Sequence, residues 1–169
     1  MSPRRDRPVP RRAARGIALM EALIGVLLLS MAALAYAALQ ARGLGANASA
    51  MWRSKATLMA YEMADRMRAN PAGVSAGSYG NLTSAVETPN CGVNSACSTA
   101  NMALLDFAQW RTGLAAALPN GTGVVCLDAT PYDGDGDGPA CDGTGSVYAV
   151  KVFWKERGQA SRLAVPVRP

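Results

Sequence analysis

The sequence predicts an α+β fold, in which a long N-terminal helix packs on a small antiparallel β-sheet and a second helix lies between them in the chain. The first observation is a proline-free stretch, residues 15–70, with apolar residues at helical spacing. The second is another amphipathic stretch at residues 99–118, which Pro119 and Gly121 end. The third is a set of three strand-like segments after residue 120, separated by turn-forming residues.

The first part of the long helix is apolar enough to cross a membrane. Residues 22–39 are 18 uncharged, mostly apolar residues. As a helix they span about 27 Å, close to the roughly 30 Å thickness of the hydrocarbon core. Glu21 is the single charge between residues 16 and 40. Because a carboxylate in a membrane segment is costly, we expect Glu21 to have a function.

The second part of the long helix is amphipathic. An apolar stripe of methionines, alanines and one tryptophan runs along residues 47–70: Trp52, Ala56, Met59, Ala60, Met63, Ala64 and Met67. A methionine stripe could bind a partner, but core packing is the simpler interpretation of one apolar face. Asn70-Pro71 predicts the end of the helix.

The C-terminal segments predict an antiparallel meander packed on the long helix. Residues 123–127 are short and β-branched, and residues 146–154 alternate between two faces. Residues 162–167 contain Pro166, which indicates an edge or an end of the sheet. We also expect a short strand near residues 79–82, within a loop rich in Gly, Ser, Asn and Thr.

The net charge of +5 lies entirely at the N-terminus. Residues 1–16 contain six arginines and one aspartate, whereas residues 17–169 contain 11 basic and 11 acidic side chains. A basic stub before an apolar segment stays cytoplasmic while the following chain crosses the membrane. No basic patch remains for the folded part, so we expect no nucleic-acid binding.

The four cysteines predict two disulfides. Cys91, Cys97, Cys126 and Cys141 all follow the apolar segment, on the exported side. A zinc site is disfavoured because the chain has no histidine and no C-x-x-C pair. Three connectivities are open. We prefer Cys91–Cys97 with Cys126–Cys141, since each pair closes a loop rich in Gly, Asn, Asp and Ser.

An aspartate-glycine repeat, Asp133 to Gly138, resembles the first half of an EF-hand calcium loop. Its carboxylates are Asp133, Asp135 and Asp137, but position twelve is Thr144 rather than a glutamate. We therefore expect an acidic turn and treat calcium as the weaker alternative. Without histidine or a phosphate-binding Lys-Ser/Thr loop, we expect neither an enzyme nor a cofactor.

The N-terminal pattern G-IALME-ALIGVLLLS resembles the class III signal sequence of type IV pilins and type II secretion pseudopilins. The resemblance implies that a prepilin peptidase cleaves between Gly16 and Ile17 and methylates the new amino group of Ile17. The chain departs from the usual pattern at Ile17, where phenylalanine is common, and at Ala18, where threonine is frequent. A carboxylate at Glu21 could pair with the amino terminus of a neighbouring subunit and set its register.

Beyond the signal, the chain resembles the PilV-type minor pilins, or type IV pilus modification proteins. Three blocks carry this resemblance: YEMADRMRANP at 61–71, CSTANMALLDFAQWRTGLAAALPNGTGVVC at 97–126, and YAVKVFW at 148–154. It implies a pilin-like α/β roll and a minor pilin that works with other minor pilins and the major pilin to prime pilus assembly. It further implies an inner-membrane protein with a periplasmic head that later joins the surface pilus.

This interpretation divides the chain into four parts: a cleaved leader (1–16), a transmembrane and polymerisation half-helix (17–41), an amphipathic half-helix (42–70) and a globular head (71–169). Three alternatives remain open. One is an ordinary signal peptide cleaved after Ala35-Tyr36-Ala37. The others are a type II secretion pseudopilin and a membrane-anchored adhesin head that never polymerises.

Overall fold

The computed structural model describes residues 15–91 and 95–169, so most of the expected leader lies outside the described residues. The elements are three helices and four strands: α1 (Arg15–Ala69), α2 (Pro71–Ser75), β1 (Asn81–Leu82), α3 (Thr99–Ala117), β2 (Thr122–Leu127), β3 (Tyr148–Glu156) and β4 (Gln159–Val167). The chain forms two compact units, Met1–Ala46 and Asn47–Pro169. Each is described by itself below.

The described part of the N-terminal unit consists of α1 residues. Every side chain from residue 17 to residue 44 is exposed, including large apolar ones such as Ile17, Leu34 and Leu44. Gly43 lies inside the helix and does not interrupt it. Glycine lowers the stability of a helix, but a single glycine is tolerated when the neighbouring residues favour the helix.

The C-terminal unit is built on the amphipathic part of α1. Five residues of the predicted apolar stripe are fully buried in this part of α1: Ala56, Ala60, Met63, Ala64 and Met67. Their burial confirms that the stripe packs in the core. Trp52 and Met59 are partly buried against the same cluster.

The sequence correctly predicts the end of α1 before Pro71 but misses the short helix α2. Asn70 caps α2 by accepting a hydrogen bond from the Gly73 amide, and Pro71 occupies its first turn. Proline is well suited to that position because its missing N–H needs no partner there.

Helix α3 matches its predicted range closely. Ser98 caps it, since the Ser98 hydroxyl accepts a hydrogen bond from the Asn101 amide at 3.1 Å. Phe107, Trp110 and Leu114 are buried in the same core as α1. Trp110 Nε1 donates a hydrogen bond to the Met59 carbonyl at 2.8 Å, which fixes α3 against α1.

The sheet is an antiparallel meander in the order β1-β2-β3-β4. Val150 of β3 lies opposite Val125 of β2 and Val165 of β4. Side chains on the helix-facing side, including Val125, Val150, Val152 and Trp154, join the main core. The α+β prediction, with a long helix packed on a small antiparallel sheet, is therefore confirmed.

The opposite face of the sheet carries a second, smaller core. Val124, Cys126, Ala149 and Phe153 are buried there, and Cys141 packs against them. Residues 148–154 of β3 are consequently buried on both faces. The cover comes from the loop between β2 and β3, residues 128–147, which we call the β2–β3 loop.

Candidate functional site

The first candidate is the N-terminal segment, defined here as residues 17–44. By length and composition α1 could cross a membrane, and its apolar window has no buried residue. An exposed apolar surface of this extent indicates an environment other than water. The segment therefore has the chemistry of a lipid-facing or helix-packing surface.

Within the N-terminal segment, Ile17 and Glu21 are both exposed and four residues apart on one helix. Four residues raise the helix by about 6 Å and return to nearly the same face. Ile17 and the Glu21 carboxylate therefore lie about one turn apart on one face. The side chains of residues 1–16 lie outside what the structure describes.

A second candidate is a polar cluster that joins α1, α2 and α3. The Arg66 guanidinium donates to Glu62 Oε1 at 2.9 Å, to Gln109 Oε1 at 3.1 Å and to Asp106 Oδ1 at 3.3 Å. Burial by itself would lower the pKa of Arg66. The Glu62 and Asp106 carboxylates outweigh this effect and raise the pKa above its ordinary value. The contact ties the residue block at 61–71 to the block at 97–126.

Tyr79 extends this cluster into the core. Its hydroxyl donates to Asp106 Oδ2 at 2.9 Å and accepts from Asn70 Nδ2 at 3.1 Å. Asn70 Nδ2 also donates to the Thr99 carbonyl at 2.8 Å. Burial, aided by the nearby Asp106 carboxylate, raises the pKa of Tyr79 to about 12.

Sequence reasoning did not identify the polar cluster. Its members are far apart in the sequence: Asn70 and Thr99 are separated by 29 residues, and Arg66 and Asp106 by 40. The available signal was the presence of polar residues beside apolar stripes of two helices. The arrangement is structural in its chemistry, because it satisfies the buried polar groups of Asn70 and Tyr79.

Both disulfides of the preferred connectivity are present. Cys91–Cys97 and Cys126–Cys141 have Cα–Cα distances of 5.2 and 6.0 Å, which are ordinary for this bond. The first closes a short loop before α3. The second attaches the β2–β3 loop to the outer face of the sheet.

The three aspartates of the predicted acidic turn do not converge. Asp133 Oδ1 accepts from Lys151 Nζ at 2.8 Å, whereas Asp135 Oδ1 accepts from the Asp137 and Gly138 amides. These hydrogen bonds lower the pKa values of Asp133 and Asp135. Asp142, a further carboxylate near position twelve, accepts from the amides of Ala129 and Thr144.

Among the residues that the structure describes, one set of metal-type ligands lies within 4.8 Å of one another, and it comprises Cys126, Asp128 and Cys141. Its two sulfur atoms are joined in a disulfide. They are therefore not thiolates available to a metal.

The centre of the β2–β3 loop is instead occupied by a lysine side chain. Lys151 Nζ lies 2.6 Å from Asp128 Oδ2 and 2.8 Å from Asp133 Oδ1. Neither the Lys151 nor the Asp128 side chain is exposed. From the sequence Lys151 is merely one position of an alternating strand, and nothing local indicates its partners.

One family model matches less than half of the chain. Residues 38–108 match the family model described as Tt1218-like, type IV pilin Tt1218. The match begins in α1, contains α2 and β1, and ends inside α3. No curated protein and no solved structure gives a significant match. The family match supports a type IV pilin with a role in pilus-related function, and the apolar segment of α1 is compatible with membrane anchoring.

Proposed function

We propose that this chain is a minor pilin that takes part in the assembly and priming of type IV pili, in a complex with other minor pilins near the pilus tip. The family match at residues 38–108 is the observation that carries the proposal. The architecture supports it, since one helix supplies both an exposed apolar segment and the base of a folded head.

The proposed pathway begins with processing at the membrane. Prepilin peptidase cleaves between Gly16 and Ile17, and the amino group of Ile17 is methylated. Residues 17–41 remain in the inner membrane, and the head lies in the periplasm. On assembly the N-terminal segment exchanges lipid contacts for contacts with neighbouring pilin helices, and the head becomes part of the surface fibre.

Glu21 directs this exchange in the proposal. A charge in a membrane segment is costly, by up to about 3 kcal/mol at the bilayer centre on insertion scales. An amino terminus and a carboxylate at matching depth reduce that cost for each other. A subunit in the correct axial position therefore has lower energy than one that is displaced along the fibre.

Processing is tested by determining the N-terminus of the chain recovered from membranes. An N-terminus at methylated Ile17 supports the proposal, whereas one at Ala38 indicates an ordinary signal peptide. Gly16→Val should block cleavage. Gly25→Val is the matched control, because a side chain at Gly25 meets no atom within 4 Å, and this variant should be processed normally.

The assembly role is tested by deleting the coding sequence and counting surface pili. Loss of pili, restored by the wild-type chain but not by Gly16→Val, supports assembly. Normal pili with lost attachment would support the adhesin alternative. Normal pili with lost protein secretion would support a type II secretion pseudopilin, and either of these two results contradicts the assembly proposal.

A further inference from the structure

The Lys151 ammonium lies inside a cage of oxygen atoms. In addition to Asp128 and Asp133, Lys151 Nζ contacts the Pro139 carbonyl at 2.8 Å and the carbonyls of Asp133 and Ala140 at 3.3 Å. Two carboxylates and three carbonyl groups therefore surround one cation. We call these five oxygen atoms the lysine cage.

A buried ammonium needs such surroundings. Removing a charge from water costs several kcal/mol, and oppositely charged groups with well-placed hydrogen bonds must offset that cost. Asp128 Oδ1 accepts from the Thr130 amide at 2.9 Å. Among the described residues, Oδ2 has the Lys151 ammonium as its close partner, at 2.6 Å. The cage and the cation thus depend on each other.

The cage has the composition of a hard-cation site. Calcium takes six to eight oxygen ligands, from carboxylates, carbonyl groups and water, at about 2.3–2.6 Å. Four of the five Lys151 distances are longer than 2.6 Å, and the two at 2.8 Å match charge-assisted N–H···O hydrogen bonds, which are about 2.7–2.9 Å. The ammonium therefore occupies a set of oxygen ligands to which the aspartate-glycine repeat contributes Asp133.

The loop backbone is shaped for this arrangement. Gly134 has φ +79°, and a Cβ there would lie 2.4 Å from the carbonyl carbon of Pro139. Arg162 of β4 donates a hydrogen bond to the Gly134 carbonyl. The aspartate-glycine repeat thus provides tight turns around a cation supplied by β3 and is additionally attached to β4.

We propose that Lys151 is a built-in cation that holds the β2–β3 loop folded without metal, and that removing its side chain turns the cage into a divalent-cation site. The cage then keeps two carboxylates and three carbonyl groups but loses the charge they surround. Calcium with its bound water would then take the place of the ammonium among these oxygen atoms. Loss of the cation without replacement uncovers the outer face of the sheet at Ala149 and Phe153.

The wild-type protein provides the first test. The chain has three lysines, Lys55, Lys151 and Lys155, and Lys155 is exposed. The full-length chain in detergent is treated with an amine-acylating reagent in EDTA or in calcium, and labelling is read by peptide mass spectrometry. We expect Lys155 to be labelled and Lys151 to be protected equally in both. Protection of Lys151 that requires calcium would overturn the proposal.

Variants provide the second test. In EDTA, Lys151→Ala should lower the unfolding temperature by roughly 6–20 °C, because the buried Asp128 carboxylate and the half-exposed Asp133 carboxylate lose their counter-ion. Millimolar calcium should recover at least half of that loss. Lys151→Met should also have a lower unfolding temperature, but calcium should raise it much less, since the methionine side chain fills the space. Lys155→Ala should keep the wild-type unfolding temperature in both buffers.

Asp128→Asn added to Lys151→Ala should abolish the calcium response. A Lys151→Ala variant with wild-type unfolding temperature, or one that folds but ignores calcium, would contradict the proposal. If Lys151→Ala yields no folded protein in either buffer, the wild-type labelling experiment still decides whether the loop forms without metal.

Discussion

Asn70 Nδ2 lies 3.1 Å from the hydroxyl oxygen of Tyr79, and both side chains are buried. This hydrogen bond connects the residue between α1 and α2 to the segment that leads into β1. Since the Tyr79 hydroxyl also donates to Asp106 of α3, three parts of the head meet at one point. The polar cluster is therefore expected to contribute to stability as a unit.

Asn70→Ala should lower the free energy of unfolding by about 1–3 kcal/mol. The variant removes the cap of α2 and leaves the Thr99 carbonyl and the Tyr79 hydroxyl each without one donor. Thermal and denaturant unfolding of the full-length chain in detergent measure the change. Asn101→Ala is the control, because Asn101 is exposed on α3. Equal stability of the two variants would show that the Asn70 contacts add nothing.

Tyr79 should titrate above the ordinary range of a tyrosine. Burial raises its pKa to about 12, above the ordinary value of about 10, so the folded state favours the protonated phenol. The stabilisation is fully present below pH 10 and is lost as the pH rises toward 12. Burial also raises the pKa of Tyr148, so the ultraviolet absorbance of tyrosinate should show a late phase in the wild type that is smaller in Tyr79→Phe.

The matched control for this titration is Tyr61→Phe, because Tyr61 is exposed. It should leave the late phase unchanged. Tyr79→Phe should also make the unfolding free energy less dependent on pH between 10 and 12. A late phase that is as large in Tyr79→Phe as in the wild type would mean that Tyr79 does not contribute to it.

Gly123→Ala should destabilise the head by about 1–3 kcal/mol through overpacking. A Cβ at Gly123 would lie 2.4 Å from Trp110 Cη2 and 2.7 Å from Leu114 Cδ1, so α3 would have to move away from β2. Gly138→Ala is the control, since its nearest new contact is Asp135 Oδ1 at 3.9 Å. Unfolding temperature measures both. Nearly identical unfolding temperatures for the two variants would show that α3 and β2 can move apart without loss of stability.

Local patterns account for the elements that the sequence predicts well. Helical spacing sets α1 and α3, and alternation of β-branched residues sets β3, because each pattern needs only neighbouring residues. Helix α2 was not predicted, because the local pattern at its start has two interpretations. Pro71 is incompatible with continuing α1 but is favourable in the first turn of a new helix, and the sequence does not distinguish these two consequences.

Long-range pairing of polar groups could not be predicted in the same way. The acidic turn was recognised from its aspartates, but its cation, Lys151, lies 18 residues from Asp133, on a strand in which the positions next to Lys151 are apolar. Only the folded β2–β3 loop brings them together. The Arg66–Asp106 contact, between residues 40 apart, depends equally on how α3 packs on α1.

Glu21→Ala should reduce incorporation of the chain into pili at least tenfold, while membrane insertion and processing at Gly16 continue. The physical reason is that an amino terminus at Ile17 would lack a carboxylate at matching depth, so a subunit in register would no longer be favoured. Glu21→Gln should behave similarly, because it keeps the shape and removes the charge.

Immunoblots of sheared pili, compared with blots of whole membranes, give the incorporated fraction. Ser30→Ala is the matched control in the same exposed segment, since the Ser30 hydroxyl donates a hydrogen bond to the Leu27 carbonyl one turn earlier in α1. Wild-type incorporation of both Glu21 variants would refute the register role of this carboxylate but would leave the family match at residues 38–108 untouched.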